Sequence, residues 1–222
     1  MQYPFSPLPH ILTGIEAAMS PARLARFRSL PSPDKNLALR MYVWNARLCE
    51  EFYIPLQFTE VALRNGIHRR LEQAFGANWY KNQKFSSVIP NRHKEDLANV
   101  VAAETAKRGA SFTVDHVVAG LPFGFWQNLM GRGLAHILWK YNASAVFPHA
   151  PAGTKRETIF EMLERLRKFR NSVMHHYAIF DKNPVTEYNN IRTLMSWMCP
   201  HTLWLMSELA NPAGVLARRP TC

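Results

Sequence analysis

The sequence predicts an all-α fold, and three observations carry that prediction. Apolar residues recur at helical spacing, with Leu37, Met41, Trp44 and Leu48 forming one stripe at i, i+4, i+7 and i+11. Proline and glycine sit where such stretches would start and stop. No segment alternates apolar and polar residues over a strand's length, and there is no internal repeat or low-complexity linker. Residues 1–222 therefore read as a single helical-bundle domain, with 1–33 as an N-terminal arm whose short helix packs on the bundle.

The elements follow in order. Ser20-Pro21 is a cap followed by proline at the first helical position, opening a short helix to about Ser29. Pro31-Ser32-Pro33-Asp34 is a turn that caps the helix bearing the first stripe. Pro55 is expected to bend the chain before a longer helix that ends near Phe75-Gly76, with Leu56, Leu63, Ile67 and Leu71 on its apolar face. Pro90 starts a helix to Lys107, with Gly109 as the stop, and Thr113 caps a short helix through Val117-Val118. The aromatic run Leu121 to Trp126 precedes a hydrophobic helix through Ile137-Leu138-Trp139. Gly131-Arg132-Gly133 is too short for a phosphate-cradling loop and reads as a helix break. A loop at Pro148 and Pro151-Ala152-Gly153 leads to Thr154, the expected cap of the next helix. Asn183-Pro184 separates that helix from a last one ending near Leu209.

Composition narrows the function classes. The chain is 47% hydrophobic with 13 Phe, 7 Tyr and 6 Trp, enough to build a large core and to argue against disorder. Lys and Arg number 27 against 16 Asp and Glu, a formal charge of +11. That surplus points to a polyanion, with nucleic acid first, although an inert basic surface has the same composition. Cys49, Cys199 and Cys222 are scattered and form no CxxC pair, which points to reduced thiols in a cytoplasm. Residues 1–12 lack a basic n-region and a continuous apolar stretch, so no signal peptide is expected. No apolar run is long enough to span a bilayer; the longest, Leu194 to Met206, is broken by Cys199-Pro200-His201. The expectation is a soluble cytoplasmic protein.

Arg170-Asn171-Ser172-Val173-Met174-His175 is the stretch with the most chemistry in it. Histidine exchanges a proton near neutral pH. Arginine offers a fork of donors that fits two phosphate oxygens. Together they are the minimum equipment for cutting RNA without a metal, because the 2′-hydroxyl becomes a nucleophile once a base takes its proton. On a helical wheel Ile159, Met162, Leu163, Leu166, Phe169 and Val173 share one sector, and Arg170 falls inside it. Asn171 and His175 lie about 40° apart and face outward. An outward-facing histidine needs a second wall, which a second copy across a two-fold axis supplies most simply.

A half-buried Arg170 calls for a carboxylate. Glu60 sits within the apolar stripe of Leu56, Leu63, Ile67 and Leu71, and the two are expected to meet, as a structural ion pair or as part of the site. Arg64, His68 and Arg69 form a basic cluster on one helix, either an RNA track or a solvated face, and Arg167 and Lys168 extend the basic side of the motif helix. His175-His176 with Cys199 and His201 is a poor metal set, since neighbouring helical residues point about 100° apart. No cofactor is expected. Phe123, Phe125 and Trp126 are read as core before base-stacking surface.

These residues resemble the Abi-like bacterial abortive-infection proteins, which carry the HEPN domain. The resemblance covers most of the chain: Trp44-Asn45, Thr59-Glu60-Val61-Ala62-Leu63-Arg64-Asn65, Leu121-Pro122-Phe123-Gly124-Phe125-Trp126, Arg167 through His176, and Ser196-Trp197-Met198. It implies a helical domain that dimerises through its motif helices. It also implies metal-independent endoribonuclease activity, with Arg170 and His175 as the Arg-x4-His pair, in a growth-arresting toxin or antiphage effector held in check by an RNA or protein antitoxin. Where the family commonly reads His-His-Glu-Pro, this chain has His175-His176-Tyr177-Ala178. The acid is lost, and Arg-x4-His-x-Tyr is created. That form is similar to toxins whose tyrosine is adenylylated by a partner nucleotidyltransferase. The competing expectation is a non-catalytic RNA-binding or regulatory module.

Overall fold

Every regular element among the described residues is helical. The computed structural model describes residues 5–28, 34–135 and 143–221. The helices are α1 (Pro9–Met19), α2 (Pro21–Arg28), α3 (Lys35–Phe75), α4 (Gln83–Val88), α5 (Asn91–Arg108), α6 (Val114–Gly120), α7 (Phe123–Leu129), α8 (Ala143–Val146), α9 (Arg156–Met174), α10 (Pro184–Met198), α11 (Pro200–Leu209) and α12 (Pro212–Leu216). No described helix is long and apolar enough to cross a membrane.

The chain forms two compact units that interleave in sequence: 1–56, 169–189 and 206–222 in the first, 57–168 and 190–205 in the second. In the first, α2 and the start of α3 pack Phe27, Leu37, Ala38, Met41 and Trp44 with Ala178, Phe180, Val215 and Leu216. The indole N–H of Trp44 donates to the Val215 carbonyl at 2.8 Å, so this buried polar group is satisfied. Phe52 meets Phe169 edge to face at 4.7 Å, which fixes the end of α9 against α3. In the second unit, Trp79 is ringed by Phe85 and Trp126, and Leu63, Ile67, Leu71, Leu163 and Leu166 are buried. Gly120 lets α6 lie close to α5, since a Cβ there would come within 2.7 Å of Val100.

The apolar stripes, the start at Pro21, and the stops at Gly76 and Gly109 match the sequence reading, while the helix expected from Pro90 begins one residue later, at Asn91, with Pro90 as its cap position. So does the aromatic run, in which Leu121, Phe123, Phe125 and Trp126 are buried. Several expectations are corrected. Pro55 does not end a helix; α3 runs through it for 41 residues. Proline removes one backbone donor and crowds the preceding turn, but Leu48, Phe52 and Leu56 around it are all buried, and that packing holds the helix together. Thr154 is not the cap of α9, which begins at Arg156; its hydroxyl donates back to Pro151 at 2.6 Å inside the preceding turn. The last helix is divided at Cys199-Pro200, because Pro200 has no N–H with which to continue α10. Helix α1 was not anticipated. The helix expected through Ile137-Leu138-Trp139 and most of the Pro31-Ser32-Pro33-Asp34 turn lie outside the described residues, though Asp34 accepts the Asn36 N–H as a cap.

Candidate functional site at the end of the motif helix

Helix α9 ends at Met174, and its last turn closes as a Schellman cap. The His176 N–H donates to Val173 at 3.0 Å and the Tyr177 N–H to Ser172 at 2.9 Å. His176 occupies the left-handed position at φ +57°, which glycine takes most easily and histidine tolerates better than most. The His175 N–H still donates to the Asn171 carbonyl at 3.0 Å, so the helical relation between those two positions extends one residue past the helix.

The cap sets the side chains. Arg170 and Asn171 are half-buried, while His175, His176 and Tyr177 are exposed. Tyr177 is 57% exposed, and its ring lies 5.9 Å from that of His175, tilted by 35°. The segment beyond is held from below by Asn45, itself only 3% exposed. Its Nδ2 donates to the Tyr177 carbonyl at 3.1 Å and its Oδ1 accepts the Ile179 N–H at 2.8 Å. From α2, Arg23 donates to the His176 carbonyl at 3.3 Å and Arg26 pairs with Asp181. Arg23, Arg26, Lys182, His176 and Tyr177 line a cavity of about 450 Å³.

The first unit therefore gathers Arg170, Asn171, His175, His176 and Tyr177. The second unit holds Glu60, Arg64, His68, Arg69, Arg167 and Lys168. Glu60 and Arg170 are each half-buried, and neither is without a partner. His68 is half-buried and its Nδ1 accepts the Trp79 indole N–H at 3.0 Å, which leaves only its other nitrogen for a ligand. Arg167 forks onto Glu164 at 2.7 and 3.0 Å, and Lys168 lies 3.6 Å from the same carboxylate. Hydrogen bonds from Arg167 hold the Glu164 carboxyl below its usual range. Arg69 is exposed and borders an apolar cavity of about 570 Å³ with Cys199 and Thr202. Among the described residues no group of His, Cys, Asp and Glu is arranged to hold a metal.

Sequence reasoning missed Asn45 as a positioning residue, although an asparagine on an apolar helical stripe is itself a signal of a buried polar contact. It also missed Arg23, Arg26 and Lys182. Nothing in a linear reading brings α2 to residues 176–182.

The chain matches no protein-family model, no curated protein and no solved structure.

Proposed function

We propose that this protein is a metal-independent endoribonuclease of the HEPN kind, acting in the cytoplasm as a growth-arresting toxin or antiphage effector. The observation that carries the reading is the cap of α9, which presents His175 to solvent one turn after the half-buried Arg170 and Asn171. His175 takes the proton from an RNA 2′-hydroxyl. The 2′-oxygen attacks the adjacent phosphorus in line, and the bond from phosphorus to the 5′-oxygen breaks. The departing 5′-oxygen takes up a proton, leaving a 2′,3′-cyclic phosphate and a 5′-hydroxyl. Arg170 supplies positive charge to the phosphate as negative charge builds on its oxygens, and Asn171 orients that phosphate or the histidine. A second copy of the chain across a two-fold axis closes the cleft.

Product chemistry tests the reading. Purified protein incubated with total RNA and a chelator should yield 2′,3′-cyclic phosphate and 5′-hydroxyl ends. Ends of the opposite kind, or no cleavage, would remove the ribonuclease assignment. Tyr177 favours a second feature of the same reading. Its exposed ring beside His175 is open to a modifying enzyme, so adenylylation of Tyr177 by a nucleotidyltransferase would place a bulky anion over the histidine and silence it.

A further inference from the structure

The cavity beside the cap has a composition that cleavage chemistry alone does not call for. Arg23 and Lys182 are exposed cations at its edge. Arg23 lines the cavity and uses one of its donors on the His176 carbonyl, which leaves further N–H groups for a ligand. Lys182 makes no ion pair among the described residues. Arg26 is partly neutralised by Asp181, so the positive balance rests on Arg23 and Lys182. Tyr177 lines the same cavity, and its aromatic ring stays exposed beside His175. His176 is in the left-handed conformation, and its carbonyl meets Arg23 of α2.

Cations that share a cavity with an exposed aromatic ring form a pattern that binds one nucleotide of a single strand: the phosphate goes to the charges and the base stacks on the ring. An acidic peptide would use the charges but leave the ring without a role. We propose that this cavity is a binding subsite for the nucleotide of single-stranded RNA next to the one being cut. Its internal phosphate is held by Arg23 and Lys182, and its base lies on Tyr177. The proposal rests on the ribonuclease reading for its place beside the scissile bond, but its binding test does not depend on cleavage.

The probe is a fluorescein-labelled 12-nucleotide RNA with 2′-O-methyl at every position, which lacks the nucleophile and cannot be cut. Binding to the full chain is read by anisotropy over a series of salt concentrations. Arg23→Ala with Lys182→Ala should weaken binding by about tenfold and lower the log–log salt slope by about 1.4, the loss of two single-strand phosphate contacts. Tyr177→Leu should weaken binding while leaving the salt slope unchanged, because stacking releases no counterions. Lys182→Ala alone, whose exposed side chain takes no part in the cap hydrogen bonds, gives about half the slope change and guards against misfolding of the double variant. An unchanged Kd in the double variant, or equal competition by a poly-glutamate peptide, would overturn the subsite. A tenfold preference for a 5′-phosphorylated strand would move the phosphate to an RNA end and overturn the internal placement. If the wild type binds this probe through Arg23 and Lys182 but leaves unmodified RNA intact, the ribonuclease reading fails and the nucleotide site stands. If it cleaves RNA while the double variant binds normally, only the subsite fails.

Discussion

Asn45 and Tyr177 are tied to each other through the backbone that carries the candidate site: the Asn45 amide donates to the Tyr177 carbonyl at 3.1 Å from a fully packed position on α3. The same side chain accepts the Ile179 N–H, so one residue satisfies two main-chain groups where the chain has just left a helix. Asn45→Ala should strand both, at about 1–3 kcal/mol each. Each kcal/mol lowers the midpoint of a chain this size by about 2–4 °C. Thermal unfolding reads the loss. A variant melting within about 2 °C of wild type would show that the clamp carries no stability.

His175→Ala should leave stability within about 0.5 kcal/mol of wild type, because the side chain is exposed and packs little. RNA cleavage and toxicity should both be lost. Circular dichroism melting and a gel of RNA products together decide it. Normal cleavage by a well-folded variant would mean that His175 moves no proton.

His176→Gly separates backbone from side chain. Relieving a non-glycine residue of its left-handed conformation should stabilise the protein by about 1 kcal/mol, and the cap hydrogen bonds should survive. Denaturant midpoints measure this. A destabilised glycine variant would show that the imidazole of His176 makes contacts that outweigh the strain.

The thiols should react in a fixed order. Burial pushes Cys49 up to about 11, whereas a hydrogen bond from Thr202 holds Cys199 below the usual thiol value. Thiolate is the reactive form, so iodoacetamide at neutral pH should alkylate Cys199 well before Cys49. Peptide mass spectrometry over a time course gives the order, and prior labelling of Cys49 would contradict the packing around it.

Glu164 gives a pH signature of known sign. Its carboxyl is lowered, chiefly by the Arg167 hydrogen bonds, so the pair stabilises the fold above the unfolded-state value and loses that contribution as pH falls through the folded one. The group is partly exposed, which limits the effect to about 0–1 kcal/mol. Glu164→Gln should thus melt slightly below wild type at neutral pH and converge with it as pH falls through the lowered folded-state value. A gap that widened with acid would reverse the assignment.

The long helices α3 and α9 were legible because each buries a stripe with a 3.6-residue period, as Leu37, Met41, Trp44 and Leu48 show. Punctuation was less dependable. Pro55 carries the local signal of a break, but burial on both sides of it outweighs the lost hydrogen bond. Thr154 has the chemistry of a cap, and the turn before the helix uses it instead. Of the candidate site, the half-buried Arg170 and exposed His175 could be read from one helical wheel. Arg23 and Lys182 could not, since they lie more than 150 positions apart in the chain and share no periodic pattern.

The interleaving of the two units sets an order on synthesis. Residues 1–56 leave the ribosome before 169–189 and 206–222, which the first unit also needs, including the Val215 carbonyl that receives Trp44. At roughly 5–20 residues per second, the opening segment waits on the order of ten seconds for its partners while the second unit emerges. The chain segment bearing His175 therefore has no complete support until residues 206–222 have also emerged.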